Sequence, residues 1–487
     1  MSKKPEPFSR GFYVTKKVSD VPLECLNWQP YEINEYIAFV HTSNRAIKST
    51  FRDCSVLIIG TFMDVTNFSE TRIETCDRLA ISLNKGFDDF YKSINPLAGK
   101  FVLFIEKEKN FYCILDATGM LPACWCKSKN DKSVAVSSHP ALLARINKFK
   151  TNIVAEKWST HELINAGGAY MPGLLTDYEN IYSITPNQIF SFAEAKMVRF
   201  YPKNEIIEKS AEEAALEIFP LLQGQIKKLV EEGKKLYVGL SGGLDTRCTL
   251  SITYEMKDNL EYFTYYNNGK ILSTDLEIAE KLSKRFNLKH HSINLSKKPL
   301  TSEHKDLIVN TENLLKKNMS FSAPYAMSSL LNENSIHICS NVLEIARGFY
   351  LKNRINIPQN YSSEKLSRLF RTATYKEFEP YFKEFFDKTS FNDISEYKSF
   401  HYSDMFYWEH RLPINYGQMY RAADCLYETY IIYNCRTILE LFLSVSLEER
   451  RNAYSVFYLI SIGNRDLLDI PIQSGSKFIE PLKFEKI

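Results

Sequence analysis

The stretch LYVGLSGGLDTRCTL, residues 236 to 250, constrains the chain most. An apolar strand ends at Leu240, two glycines follow, and Leu244, Cys248, Ile252 and Met256 then recur at helical spacing on one face. Gly242 and Gly243 let the backbone bend sharply and approach a ligand with no Cβ in the way. The N–H groups of the helix start, with the hydroxyls of Ser241 and Thr246, make a nest for phosphate oxygens. Asp245 is out of place beside an anion unless a divalent cation such as Mg²⁺ lies between carboxylate and phosphate. A strand-to-helix turn with no ligand is the alternative; the full S-G-G-L-D-T string between a buried strand and a helix favours the phosphate. No lysine follows the glycines, so this is not the G-x-x-x-x-G-K-[ST] loop.

The flanks agree with that reading. Residues 211–233 form an amphipathic pattern leading into the strand, and 261–266, 290–295 and 335–340 read as further strands. Residues 273–287 read as a helix opened by a capping box, Thr274 with Glu277, burying Ile278, Leu282 and Phe286. Strand, helix, strand in repetition predicts a parallel sheet covered by helices. Before residue 205 the rhythm differs: 55–62, 100–106, 111–119 and 133–138 are short apolar runs separated by turn signals, as in a mostly antiparallel, β-rich unit. The expectation is two domains, 1–205 and 206–487, which suits 487 residues.

Composition narrows the function classes. The net charge is +3, from 61 basic against 58 acidic residues, so the footprint of a nucleic-acid binder is missing. The N-terminus has no apolar h-region and no run of about 18 apolar residues occurs, which predicts a cytoplasmic protein with no membrane partner. The ten cysteines show no metal-ligand spacing; Cys124 and Cys126 flank Trp125 in a strand-like stretch and read as reduced core thiols.

The S-G-G-L-D-T loop resembles the pyrophosphate loop of the ATP pyrophosphatases, with Thr246 in place of the usual serine. The wider layout is similar to the asparagine synthetase-like group, which includes asparagine synthetase, β-lactam synthetase and the lasso peptide cyclases. Residues 97–125, 133–144, 176–192 and 199–202 resemble, in order, the strand series of its N-terminal glutaminase-type domain. The resemblance implies an α/β synthetase domain with a parallel sheet of ATP pyrophosphatase type, preceded by an Ntn-hydrolase-like α+β sandwich. It implies ATP and Mg²⁺, with the nucleotide on Leu240, Ser241, Gly242, Gly243, Asp245, Thr246 and Tyr265.

The departures are as informative. A glutaminase of this group needs a cysteine directly after Met1, and Ser2, Lys3 and Lys4 stand there, so the front domain reads as a scaffold without glutamine chemistry. Aligned on Gly348 and Tyr350, Glu344 falls on the group's second cation-binding aspartate, giving Asp245 and Glu344 as metal ligands. Ser340 and Val342 replace two of its glycines, and Arg347 replaces a large apolar residue and is a candidate grip for a carboxylate or phosphate. Asp424 and Glu428 fall on a pair of family acids, and Glu428 is a candidate to position or deprotonate the amine. The tyrosine that partners this glutamate in the β-lactam-forming members falls on Asn341, so that dyad is missing. Lys477 matches a late lysine that stabilises negative charge during adenylation.

The resemblance thus implies an ATP-dependent, AMP-forming amide ligase acting on a small-molecule or peptide carboxylate and an amine, alone, as a homodimer, or with a partner biosynthetic protein. The competing expectations are a sulfur-transfer or RNA-modifying pyrophosphatase and a nucleotide-binding pseudoenzyme.

Overall fold

The computed structural model describes residues 6–17, 21–129, 131–161, 170–267, 270–297, 300–311, 322–351, 359, 361–372 and 375–473. Two six-stranded antiparallel sheets come from the first part of the chain. One runs β10 (Tyr182–Ser183), β8 (Cys124–Lys127), β9 (Val134–Ser137), β1 (Phe12–Lys16), β3 (Tyr36–Val40), β2 (Gln29–Ile33). The other runs β12 (Lys196–Arg199), β11 (Gln188–Ser191), β7 (Asn110–Leu115), β6 (Leu97–Lys107), β5 (Cys54–Asp64), β4 (Ala46–Phe51). Strands β5 and β6 are nearly continuous apolar runs because both their faces are covered. Phe12 of one sheet meets Phe104 of the other edge-on, with ring centroids 5.5 Å apart. The helix Arg72–Lys85, opened by a Thr71–Glu74 capping box, covers the far side of β4 and β5. Cys124 and Cys126 are buried in β8.

The third sheet has five strands, all parallel, in the order β15 (His290–Asn294), β14 (Leu260–Tyr266), β13 (Lys235–Gly239), β16 (Ser335–Cys339), β17 (Glu428–Ile431). The helix Ala211–Glu231 enters it, capped by Ser210 and Glu213, with Ile218, Leu222, Ile226 and Leu229 on its buried face. The helix expected from residue 273 begins earlier, at Lys270, so Thr274 lies within it and is not its cap. Ile278, Leu282 and Phe286 are buried as the spacing predicts.

The first two sheets and the third share one continuous apolar core. The seam between them is polar and ordered. Lys100 of β6 donates to Asp424 at 2.5 Å with both side chains buried, and Arg199 grips Glu409 through two nitrogens at 2.7 and 2.8 Å. Asn434 bonds Gly99 O, Thr118 and Asp116 at once. Such charges stay buried only because each is paired and hydrogen-bonded. No helix among the described residues is long and apolar enough to cross a membrane.

Candidate functional site

In the parallel sheet, β14 lies on one side of β13 and β16 on the other, so the chain reverses its direction of winding between β13 and β16. Ligands in open α/β sheets bind in the crevice outside the carboxyl ends of strands at such a point. The residues that face it are the loop after β13 and the short 3₁₀ turn Leu343–Arg347 after β16.

The loop is held by its own hydroxyls. Ser241 and Thr246 place their oxygens 2.8 Å apart; the Ser241 amide donates to Thr246 Oγ1 at 3.2 Å and the Gly243 amide to Ser241 Oγ at 3.1 Å. The Gly242 amide donates to Asp275 Oδ1 at 2.9 Å. Asp275 belongs to the helix that follows the neighbouring strand β14, and burial raises its carboxyl pKa while the Gly242 N–H pulls it down. The helix Leu244–Thr253 then starts at Gly243, which supplies no side-chain cap. Its first amides therefore depend on a partner other than Gly243 for satisfaction.

The two glycines do different work. A Cβ on Gly242 would come within 2.7 Å of Ile278 Cδ1, whereas one on Gly243 would, among the described residues, meet only Ser241 Oγ, at 3.3 Å. Among the described residues the Gly243 side of the loop is the more open approach.

Asp245 and Arg347 meet across the crevice, Nη2 to Oδ2, at 2.5 Å, with the Arg347 side chain 9% and the Asp245 side chain 25% exposed. The turn that delivers Arg347 begins at Val342, a buried β-branched residue at φ 80°, a backbone conformation that favours glycine. Such a conformation costs about 1–3 kcal/mol for a residue of this kind.

The two acids expected to hold Mg²⁺, Asp245 and Glu344, have protein partners in this structure. One oxygen of Asp245 is taken by a guanidinium, and Glu344 receives a long 3.5 Å hydrogen bond from Tyr416. Among the described residues no group of three or more His, Cys, Asp or Glu side chains could hold a metal.

The chain's last described segment closes over the loop. Arg247, fully buried, donates to the carbonyls of Leu467 at 2.6 Å and Ile470 at 2.8 Å, and the Gln473 amide donates to Gly242 O at 2.8 Å. Burial lowers the Arg247 pKa to about 10. Lys477 lies outside the described residues, as does Ser2.

Leu240 and Tyr265 sit at the carboxyl ends of β13 and β14, the first buried and the second 39% exposed. Glu428 is a correction. It opens β17 and pairs in register with Ile336, which is level with Leu236 at the start of β13. It therefore lies at the opposite end of the sheet from the loop, where Thr61 of β5 donates to its carboxylate. Asp424 is likewise engaged by Lys100 of β6. Both acids belong to the seam between the sheets.

No protein-family model matches the chain, and no curated protein matches it. Among solved structures it is similar to the NH3-dependent NAD synthetase of Campylobacter jejuni, at 16% identity over 39% of this chain and 96% of that one, with a TM-score of 0.22. The glutamine-dependent NAD+ synthetase of Acinetobacter baumannii matches at 13% identity over 40% of this chain and 43% of that one, with a TM-score of 0.21. The glutamine phosphoribosylpyrophosphate amidotransferase of B. subtilis matches at 11% identity over 75% and 73%, with a TM-score of 0.24. Likenesses this distant assign neither a function nor a site.

Proposed function

We propose that the chain binds ATP at Leu240–Thr246 and is an AMP-forming ligase that adenylates a carboxylate, releases pyrophosphate and lets an amine displace AMP. The observation that supports it is the loop's place: two glycines, two hydroxyls and a helix start without a side-chain cap, set at the carboxyl end of β13 where the sheet changes direction. The first amides of the helix and the hydroxyls of Ser241 and Thr246 would hold the phosphates, approached from the Gly243 side. Tyr265, partly exposed on the next strand, would cover the base, and Lys477 would stabilise charge developing in the transition state. No step is assigned to Mg²⁺. The substrate brings a carboxylate and an amine. Incubating the protein with ATP and a panel of carboxylates should release pyrophosphate with the right carboxylate alone, and pyrophosphate and AMP in equal amounts once the amine is supplied.

A second reading has a specific observation behind it. Arg347 holds the carboxylate expected to bind a cation, so a protein that binds nucleotide without turning it over fits the same geometry. ATP binding with no pyrophosphate released for any carboxylate would favour that reading over the ligase.

A further inference from the structure

A carboxylate such as Asp245, set in a phosphate nest, needs a cation between itself and the ligand. The chain brings a cation of its own to that carboxylate. Arg347 Nη2 donates to Asp245 Oδ2 at 2.5 Å, and the Arg347 side chain is nine-tenths buried.

The meeting is built into the fold and does not depend on two mobile side chains finding each other. Leu343, Ile345 and Ala346 of the turn are fully buried, so packing fixes the backbone that carries Arg347. Residues at positive φ bound the turn at both ends, Val342 at 80° and Gly348 at 56°. On the facing helix, Leu244–Thr253, Thr249 lies one turn beyond Asp245. Its hydroxyl oxygen is 2.8 Å from Ser340 Oγ, just after β16, and 3.0 Å from the Tyr433 hydroxyl, just after β17. All three residues are buried. The helix that carries Asp245 and the strand that leads into the turn are thereby tied at a fixed spacing.

The guanidinium has donors to spare. It presents five N–H bonds in a planar fork and keeps its charge at any working pH. Nη2 serves Asp245, while Nε is a buried atom with no hydrogen bond among the described residues. A guanidinium held on one side by a carboxylate can therefore take an oxygen of a second anion, as a metal ion does when it bridges carboxylate and phosphate.

We propose that Arg347 is the resident cation of the nucleotide site: its guanidinium lies between Asp245 and the phosphates of ATP and bonds both, so that ATP binds the loop without a divalent ion on Asp245. The proposal deepens the nucleotide reading of the loop and rests on it. It gives the acid a place in a phosphate nest. Asp245 is then a positioning residue, which orients the guanidinium while its own charge opposes the ligand. One guanidinium offsets less phosphate charge than a divalent ion, and the first amides of the helix supply part of the remainder.

The test titrates the full chain with ATP in a calorimeter, once with Mg²⁺ and once with EDTA. The unaltered protein should bind in both, with affinities within about threefold of each other. Asp245→Asn should tighten binding in EDTA, because a negative charge beside the phosphates goes while an acceptor for Arg347 remains. Adding Arg347→Met to Asp245→Asn should then weaken it at least about tenfold, as the loss of one charged hydrogen bond predicts, with Arg347→Lys on the same background intermediate. The double change strands neither buried charge, and its Tm reports that it is folded. The proposal is overturned if ATP binds only when Mg²⁺ is present, if Asp245→Asn weakens binding, or if the double variant binds as tightly as Asp245→Asn alone. Should a variant fail to fold, Mg²⁺ against EDTA on the unaltered protein decides. Binding that needs Mg²⁺ would remove this role of Arg347 and leave the nucleotide reading standing; no binding in either buffer would remove both.

Discussion

Replacing each loop glycine by alanine separates packing from ligand approach. At Gly242 the new methyl would sit 2.7 Å from Ile278 Cδ1, 3.1 Å from Gln473 Cβ and 3.2 Å from Asp275 Oδ1. Carbon atoms pack favourably at about 3.5–4.0 Å, so at least one neighbour must move. Overpacking of this kind costs about 1–3 kcal/mol. The displaced neighbours also hold the loop, since Asp275 accepts from the Gly242 amide and Gln473 donates to its carbonyl. At Gly243 the methyl meets, among the described residues, only Ser241 Oγ at 3.3 Å, and the backbone φ of −78° suits any residue. There a small loss as a helix cap is offset by reduced freedom of the unfolded chain, each about 0.5 kcal/mol. With roughly 2 cal/mol/K of unfolding entropy per residue, 1 kcal/mol moves the Tm of a chain this long by about 1 °C. Gly242→Ala should therefore lower the apparent Tm by about 1–3 °C in scanning calorimetry and speed proteolysis near Gln473. Gly243→Ala should leave both unchanged. A larger loss for Gly243→Ala than for Gly242→Ala would refute this account of the loop.

Arg347→Met leaves Asp245 without its buried cation and should cost about 2 kcal/mol, below the 3–5 kcal/mol of a fully buried pair because Asp245 is a quarter exposed; a second change, Asp245→Asn, should recover most of it in a double-mutant cycle of thermal unfolding. Arg247→Met removes the donors to Leu467 and Ile470 and should free the C-terminal segment, seen as faster amide exchange over 467–473 with little change in β13. His410, wholly buried among phenylalanine rings, has its pKa pushed down to about 3 by burial. Its contribution to stability is full above the unfolded value near 6.5 and is lost as pH falls towards 3, so His410→Phe should flatten the decline of Tm between pH 7 and pH 4, and an unchanged slope would show that other groups set it.

The parallel sheet and the loop were legible because they are local. An apolar strand, a glycine pair and a helical repeat are contiguous in residues 236–256, and the antiparallel strands carry the same short-range signals. What could not be read depends on pieces far apart in the chain. Asp275 reaches Gly242 only because β14 lies beside β13; the rule that successive βα units are neighbours was the available signal. Glu428 was placed by alignment, which says nothing of which end of a strand an acid occupies, and here the carboxylate opens β17 instead of closing it. The Arg347–Asp245 pair needs Val342 at positive φ, a conformation no propensity predicts for valine.

The most direct test of the nucleotide site uses Gly243→Asp. Aspartate is a good residue at a helix start and suits its positive end, so the free protein should be as stable as before or more so, by up to about 1 kcal/mol. The same carboxylate would stand where phosphate must approach. Calorimetric titration with ATP should show binding to the unaltered protein and at least a tenfold loss, about 1.4 kcal/mol, in the variant at unchanged Tm. Equal affinity in the two proteins, or no binding to the unaltered one, would contradict the assignment of the Leu240–Thr246 loop to ATP.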